Sequence, residues 1–327
     1  MSKYSIKDIA AMAGVSIATV SRVINNKGKY SEETKEKVLK IINQTGYKVD
    51  GSAQSLKTNI TFTIGILVPD IKNFFFADLV QKIEKELFDK NYSTIICNTD
   101  SDEEKEKSYL RMLENKKVDG IIVISGAKQG FRFESSLKNI PYICIDRKPA
   151  DFNKTIFISS NHELGAQDAA NYLLDHDVQR PAMVIRKHSP ILNGRINGFR
   201  NSLEEHNIVF DRKENIFCFN GITSLTKYLS TYPETDGFFA IDDRLAIELI
   251  MALKQIGKKV PDDIQVIGFD NIPADEIISP TLTTIAQNTD KIAHYTIENI
   301  LKVIKTPNES GDQILIPTTL VKRNSTF

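Results

Sequence analysis

From Phe62 onward the chain alternates short β-rich apolar runs with amphipathic helical stretches, and that alternation is what most limits its possible folds. The runs read FTIGILV, YSTIIC, VDGIIVI, YICID, TIFIS, AMVI, NIFCF, GFFAI, IQVIGF and LTTIA, and helical patterns such as 78–90, 103–115, 163–174, 243–256 and 290–304 fall between them. Strand, helix and strand at this spacing predict parallel sheets with helices on both faces. So many strands exceed one comfortable sheet, which predicts two similar lobes. Polar residues collect just after the runs: Asp70 to Asn73, Ser125, Asp146 with Arg147, Asp242 with Asp243, and Asp270 with Asn271. Open α/β sheets bind ligands outside the carboxyl ends of their strands, so a cleft between the lobes is the expected site.

The first sixty residues have a different texture. Ile6, Ile9, Ala10 and Ala13 repeat at helical spacing, Gly14 breaks the pattern, and Ser16 is placed to cap a second helix with Val20 and Val23 inward. Its outward side is Ile17, Ala18, Ser21 and Arg22, small apart from one guanidinium, which suits a major groove. A helical hairpin that only packs is the bland alternative. A third helix is expected from a Ser31 cap to Gly46, with Val38, Ile41 and Ile42 inward. Residues 50–57, DGSAQSLK, form a polar linker too short to be more than marginally helical alone.

Charge favours the DNA reading over packing alone. The whole chain balances 42 Lys and Arg against 42 Asp and Glu, yet residues 1–60 hold ten basic side chains against five acidic ones, leaving 32 against 37 in the remainder. A basic head on an acidic body is expected where one end meets phosphate and the other does not. The chain shows no basic leader with an apolar core and no apolar run of membrane-spanning length, so cytoplasmic location is expected. Cys97, Cys144 and Cys218 each sit in an apolar run and read as buried reduced thiols. The five histidines show no ligand spacing and are given no chemistry.

With these residues in hand, the chain resembles the lactose/galactose repressor family of bacterial transcription regulators. The segments IKDIAAMAGVSIATVSRVIN, AQSLK, TIGILVPDIKNFFFADL, VDGIIV, the pair Asp146–Arg147, VPDDIQVIGFDN and SPTLTTIAQ all stand where that family places them. Its pattern is most similar to the ribose operon repressors among them. The resemblance implies an N-terminal all-α helix-turn-helix head over 1–49, a hinge over 50–60, and an α/β two-lobed periplasmic-binding-protein-like core over 61–327 with parallel, Rossmann-like lobes. The first lobe is expected from about 61–160 and 290–318, the second from about 161–289 and 319–327.

Carried over by resemblance, Ile17 and Ala18 face bases, Arg22 reaches a base edge or the adjacent phosphate, and Ser16, Thr19, Ser21 and Asn25 grip backbone, with local capping the alternative for Thr19 and Asn25. Leu56 matches the minor-groove wedge, flanked by Ala53 and Lys57. Val49, Asp50 and Gly51 replace a proline-led start, so a looser hinge off DNA is expected. The effector set implied is Asn73, Phe75, Phe76, Ser125, Asp146, Arg147, Arg195, Phe219, Asp242, Asp270 and Gln287. Aromatic faces would cover the C–H face of a sugar ring while carboxylates, amides and guanidinium take its hydroxyls; core packing is the alternative for the Phe74–Phe76 run, and a helix cap for Asp270. Ser125 and Asp242 stand where ribose-type binders commonly carry Asn.

The implied function is a homodimeric repressor of a sugar-utilisation operon, ribose first, which leaves double-stranded operator DNA when a small sugar fills the cleft. No metal, cofactor or membrane partner is called for. A corepressor- or partner-dependent regulator of the same family is the alternative. A sugar-binding transport protein would need export and has no use for a basic head. An enzyme would need a nucleophile with its base, or a phosphate loop, and neither is legible.

Overall fold

The alternating runs of the longer unit become two six-stranded sheets. The computed structural model describes residues 4–24, 26, 28–47, 60–125, 140–149, 153–186, 192–306 and 311–327, and the chain divides into units Met1–Thr61 and Phe62–Phe327. Asn25, Ala53, Leu56 and Lys57 lie outside the described residues.

In the first unit, α1 (Ile6–Ala13), α2 (Ile17–Ile24) and α3 (Glu32–Thr45) enclose one small core of Ile9, Ala10, Ala13, Val20, Val23, Val38 and Ile41. Each start is fixed by a side chain. Ser5 and Asp8 form a reciprocal capping box on α1, and Ser31 Oγ accepts the Thr34 N–H at the start of α3. Such caps contribute about 1 kcal/mol each, a large share for a domain this small. Gly14 and Gly46, both with left-handed backbone, end α1 and α3 as expected.

The second unit runs β1 (Thr63–Val68), α4 (Phe74–Asp89), β2 (Ser93–Asn98), α5 (Glu103–Asn115), β3 (Gly120–Ile124), β4 (Tyr142–Ile145), β5 (Ile156–Ser160), α6 (His162–Asp175), β6 (Pro181–Ile185), α7 (Leu192–Glu205), α8 (Arg212–Asn215), β7 (Ile216–Cys218), α9 (Ile222–Thr231), β8 (Gly237–Ala240), α10 (Asp243–Gln255), β9 (Gln265–Asp270), a 3-10 turn (Pro273–Glu276), β10 (Thr283–Ala286), α11 (Thr289–Lys305), β11 (Gln313–Ile316) and β12 (Thr319–Val321). The first sheet has order β11-β5-β4-β3-β1-β2 and the second β12-β10-β9-β8-β6-β7. All pairings are parallel except β10 with β12. The doubly wound, two-sheet architecture meets the expectation.

Burial on both faces explains why the strands read as continuous apolar runs. Ile64, Ile66 and Val68 of β1 enter one core with α4 and α11, while the intervening Leu67 enters another with Leu110 and Leu113 of α5. The chain passes from the first sheet to the second after β5, returns after β10, and passes again between β11 and β12. Those last two strands carry no strong sequence signal because each is a short, half-exposed edge strand. The thiols need one correction: Cys97 and Cys144 are buried, but Cys218 is exposed, because it ends β7 at the edge of its sheet. Burial pushes the Cys97 and Cys144 thiols up, to about 11 and about 12.

Candidate functional site

In the head, Ser16 starts α2 by accepting the Thr19 N–H at 3.1 Å, and the two hydroxyls lie 2.9 Å apart. Local capping therefore engages both Ser16 and Thr19. Val20 and Val23 are buried, whereas Ile17, Ala18 and Arg22 are exposed and Ser21 is half-buried. Ile17 is 43% exposed on the helix's first turn, where an apolar side chain gains nothing from water. The α2 surface is thus small and apolar at its start, with the Arg22 stem running beside Gly28.

In the second unit a chain of hydrogen bonds and one ion pair crosses from one sheet to the other. Asp146 follows β4 with φ of 55°, and its Oδ1 accepts the Ser159 hydroxyl at 2.7 Å and the His162 Nε2–H at 2.9 Å. His162 Nδ1 faces Arg195 Nη2 at 3.3 Å. Because a guanidinium only donates, Nδ1 must accept, and the proton of the neutral ring lies on Nε2. Arg195 Nη1–H donates to the Ile241 carbonyl, its Cζ lies 3.5 Å over the Phe269 ring, and Nη2 is 3.6 Å from Asp270 Oδ1. Gln287 Nε2–H closes the chain on Asp270 Oδ1 at 2.6 Å.

Helix packing sets this register. A Cβ on Gly198 would lie 1.9 Å from the Glu163 carbonyl oxygen, so only glycine lets α7 approach α6 this closely. Arg195, one turn earlier on α7, is thereby brought to His162 at the start of α6.

The chain is incomplete at three buried atoms. Asp146 Oδ2, Arg195 Nε and Gln287 Oε1 have no hydrogen-bond partner among the described residues. Buried polar atoms are usually paired, so each of these three can take a further hydrogen bond. Burial lowers the His162 pKa, Asp146 opposes that, and Arg195 adds to it; the ring is neutral. Burial alone would raise Asp146, but His162, Ser159 and Arg195 outweigh it and the carboxyl lies below its ordinary value. Asp270 is the reverse: burial holds it well above the carboxylate range, Arg195 opposes, and Asp243 and Asp242 reinforce.

The remaining expected residues do other local work. Asn73 caps α4 by accepting the Phe75 N–H at 3.0 Å, and Asp242 caps α10 by accepting the Leu245 N–H at 2.7 Å. Arg147 Nη1 donates to both oxygens of Glu106 on α5, at 2.8 and 2.9 Å, with both side chains buried. A partner within the first lobe, rather than a ligand, therefore satisfies that nitrogen. Phe219 packs edge-on against Phe217, 6.0 Å between centroids. Ser125 is buried after β3. Phe75 belongs to the first-lobe core with Phe76 at its edge, but it also lines, with Phe74, Asp270, Gln287 and Thr289, an open cleft of about 760 Å³. Asp146, His162 and Arg195 are not among the residues that line that opening.

Residues 5–50 match the family described as bacterial regulatory proteins, lacI family, and residues 170–326 match the periplasmic binding protein-like domain. The chain is 34% identical to the ribose operon repressor of Halalkalibacterium halodurans over 325 residues, 98% of this chain and 97% of that one. The chain belongs to the LacI family. It is also 35% identical over 308 residues to the transcriptional repressor PurR of Vibrio vulnificus, 92% of each chain. Among solved structures, a LacI family transcriptional regulator from Enterococcus faecium with bound ribose superposes with TM-score 0.69 at 30% identity, over 81% of this chain and 98% of that one.

As a LacI-family member the chain is a DNA-binding transcriptional regulator and not an enzyme. No helix among the described residues is long and apolar enough to cross a membrane. Of the cleft residues expected from sequence, the structure brings together Asp146, Arg195, Asp270 and Gln287. It adds His162, which sequence reasoning passed over. The signal was there: His162 stands just past the run TIFISS, at the same carboxyl-end position that drew attention to the aspartates.

Proposed function

We propose that this regulator is a repressor of a sugar-utilisation operon, with ribose as its effector, acting in the cytoplasm as a homodimer on a pseudo-palindromic operator. The observation that carries this reading is the set of three buried, unpartnered atoms, Asp146 Oδ2, Arg195 Nε and Gln287 Oε1, on a chain of side chains that joins the two sheets. One donor and two acceptors are what a polyhydroxylated ligand satisfies, and an analogue lacking a hydroxyl leaves one of them bare. Among the described residues the Asp146 and Arg195 charges cancel, and Arg147 is held by Glu106, which favours a neutral sugar over a phosphorylated one. Similarity to a ribose operon repressor and to a ribose-bound regulator supports the choice of pentose.

On the DNA side, Ile17, Ala18 and Arg22 meet base edges, while Ser16, Thr19, Ser21 and Asn25 hold the backbone. Ala53, Leu56 and Lys57 enter the minor groove at the operator centre. One head covers a half-site, so two copies are needed. Calorimetry of the full chain with D-ribose, against other pentoses and hexoses, tests the effector: D-ribose binds most tightly, and heat from none of the pentoses rejects the sugar reading.

A further inference from the structure

The loop that leaves β9 carries Asp270 on a backbone few residues adopt: φ is 128° at Asp270 and 61° at Asn271. The Asp243 carboxyl at the first turn of α10 holds it there. Asp243 Oδ2 accepts the N–H groups of Asn271 at 2.5 Å and Ile272 at 3.2 Å, and Oδ1 accepts the Thr284 hydroxyl at 2.6 Å. Gly268 makes room for this, since a Cβ there would lie 2.0 Å from Asp243 Oδ1. These donors favour the ionised form, but burial and then the Asp275 carboxyl beside it outweigh them and hold Asp243 well above the carboxylate range.

Asp275, in the 3-10 turn of the same loop, is wholly buried, and neither of its carboxyl oxygens has a hydrogen-bond donor among the described residues. Its neighbour is the Asp243 carboxyl, itself fully buried. Two buried carboxyls in contact cannot both ionise; a proton between them turns repulsion into a hydrogen bond. The other charged groups around the pair are Asp270 on β9, Asp242 ahead of α10, Glu276 in the same turn and Arg323 after β12. Arg323 is committed to the Leu282 carbonyl, Asn271 Oδ1 and Glu276, at 2.8, 2.8 and 3.0 Å.

We propose that Asp275 is a positioning residue: it shares a proton with Asp243, closes the loop over 270–276, and so makes the hold on Asp270 depend on pH. The proposal rests on reading Asp270 as an effector contact. Burial pushes the Asp275 carboxyl up to about 6, opposed first by the bond to Asp243 and then by Arg323, and reinforced by Asp270. A carboxyl raised in the folded state keeps a proton that the unfolded chain has released. The Asp275 contribution to stability therefore falls as pH rises from about 4 through about 6 and then levels off, the pair keeping the one proton that Asp243 holds.

The test melts the full-length wild type, Asp275→Asn and Asp275→Ala at steps between about pH 4.5 and about pH 7.5. Asparagine keeps the shape and offers Asp243 an N–H with no proton to lose. Over that rise the wild-type melting temperature should drop by several degrees relative to Asp275→Asn, and Asp275→Ala should share the flatter slope of Asp275→Asn. Parallel curves would overturn the shared proton, and the alanine variant carries the comparison should the asparagine variant not fold. D-ribose affinity gives the second readout: the ratio of wild-type to Asp275→Asn dissociation constants should rise about threefold across the same range. A constant ratio would overturn the hold on Asp270. If D-ribose binds neither protein, the sugar reading has failed and the melting curves still decide the proton pair.

Discussion

His162 Nε2 lies 2.9 Å from Asp146 Oδ1 while Nδ1 of the same ring lies 3.3 Å from Arg195 Nη2, so one neutral imidazole joins a carboxylate beside the first sheet to a guanidinium beside the second. The ring cannot be protonated without placing imidazolium against guanidinium. Nitrogen NMR of the histidine side chains should find one ring with the proton on Nε2 that titrates below the ordinary imidazole value of about 6.5. Because the folded pKa is depressed by burial, the ring's contribution to stability is present above about pH 6.5 and is lost as pH falls below it. Histidine rings that all titrate at about pH 6.5 would contradict the chain of bonds.

Arg195 anchors the second-lobe side. Arg195→Ala leaves the buried Asp146 and Asp270 without their cation and His162 without a donor. D-ribose affinity should fall by roughly 100-fold or more, about 3 kcal/mol, while operator affinity is kept. Calorimetry and DNA titration on the same preparation separate the two effects.

Glu106 and Arg147 make a different prediction, because their ion pair is buried within the first lobe. Glu106→Ala takes the carboxylate away from a buried guanidinium and should cost about 3 kcal/mol of stability, read from denaturant unfolding. A loss below about 1 kcal/mol would mean that water reaches Arg147 freely.

In the head, Arg22 is the exposed cation on the outward face of α2. Arg22→Ala should weaken operator binding by about 1–3 kcal/mol and relax preference at one base pair of each half-site. A uniform loss over all sequences would assign Arg22 to phosphate instead.

The sequence made some of this legible and hid the rest for physical reasons. The core strands and the caps at Ser16 and Ser31 were readable because doubly buried strands and helix starts demand particular residues. Asp146 and Asp270 stood out as polar residues directly after apolar runs. His162 stands just past a run as well, but one residue further on and already inside the helix that follows, and a lone histidine shows no periodicity. Nor could spacing reveal that Asn73 and Asp242 are caps, since a side chain after a strand and before a helix suits either role. The Arg147–Glu106 pair spans 41 residues and two elements, so only folding discloses it.

The most direct measurement is fluorescence anisotropy of the full chain on a duplex that it has itself selected from random sequence, with and without D-ribose. The account predicts a selected pseudo-palindrome and a rise of at least about 10-fold in the DNA dissociation constant when D-ribose fills the cleft. An unchanged dissociation constant at saturating D-ribose would contradict it.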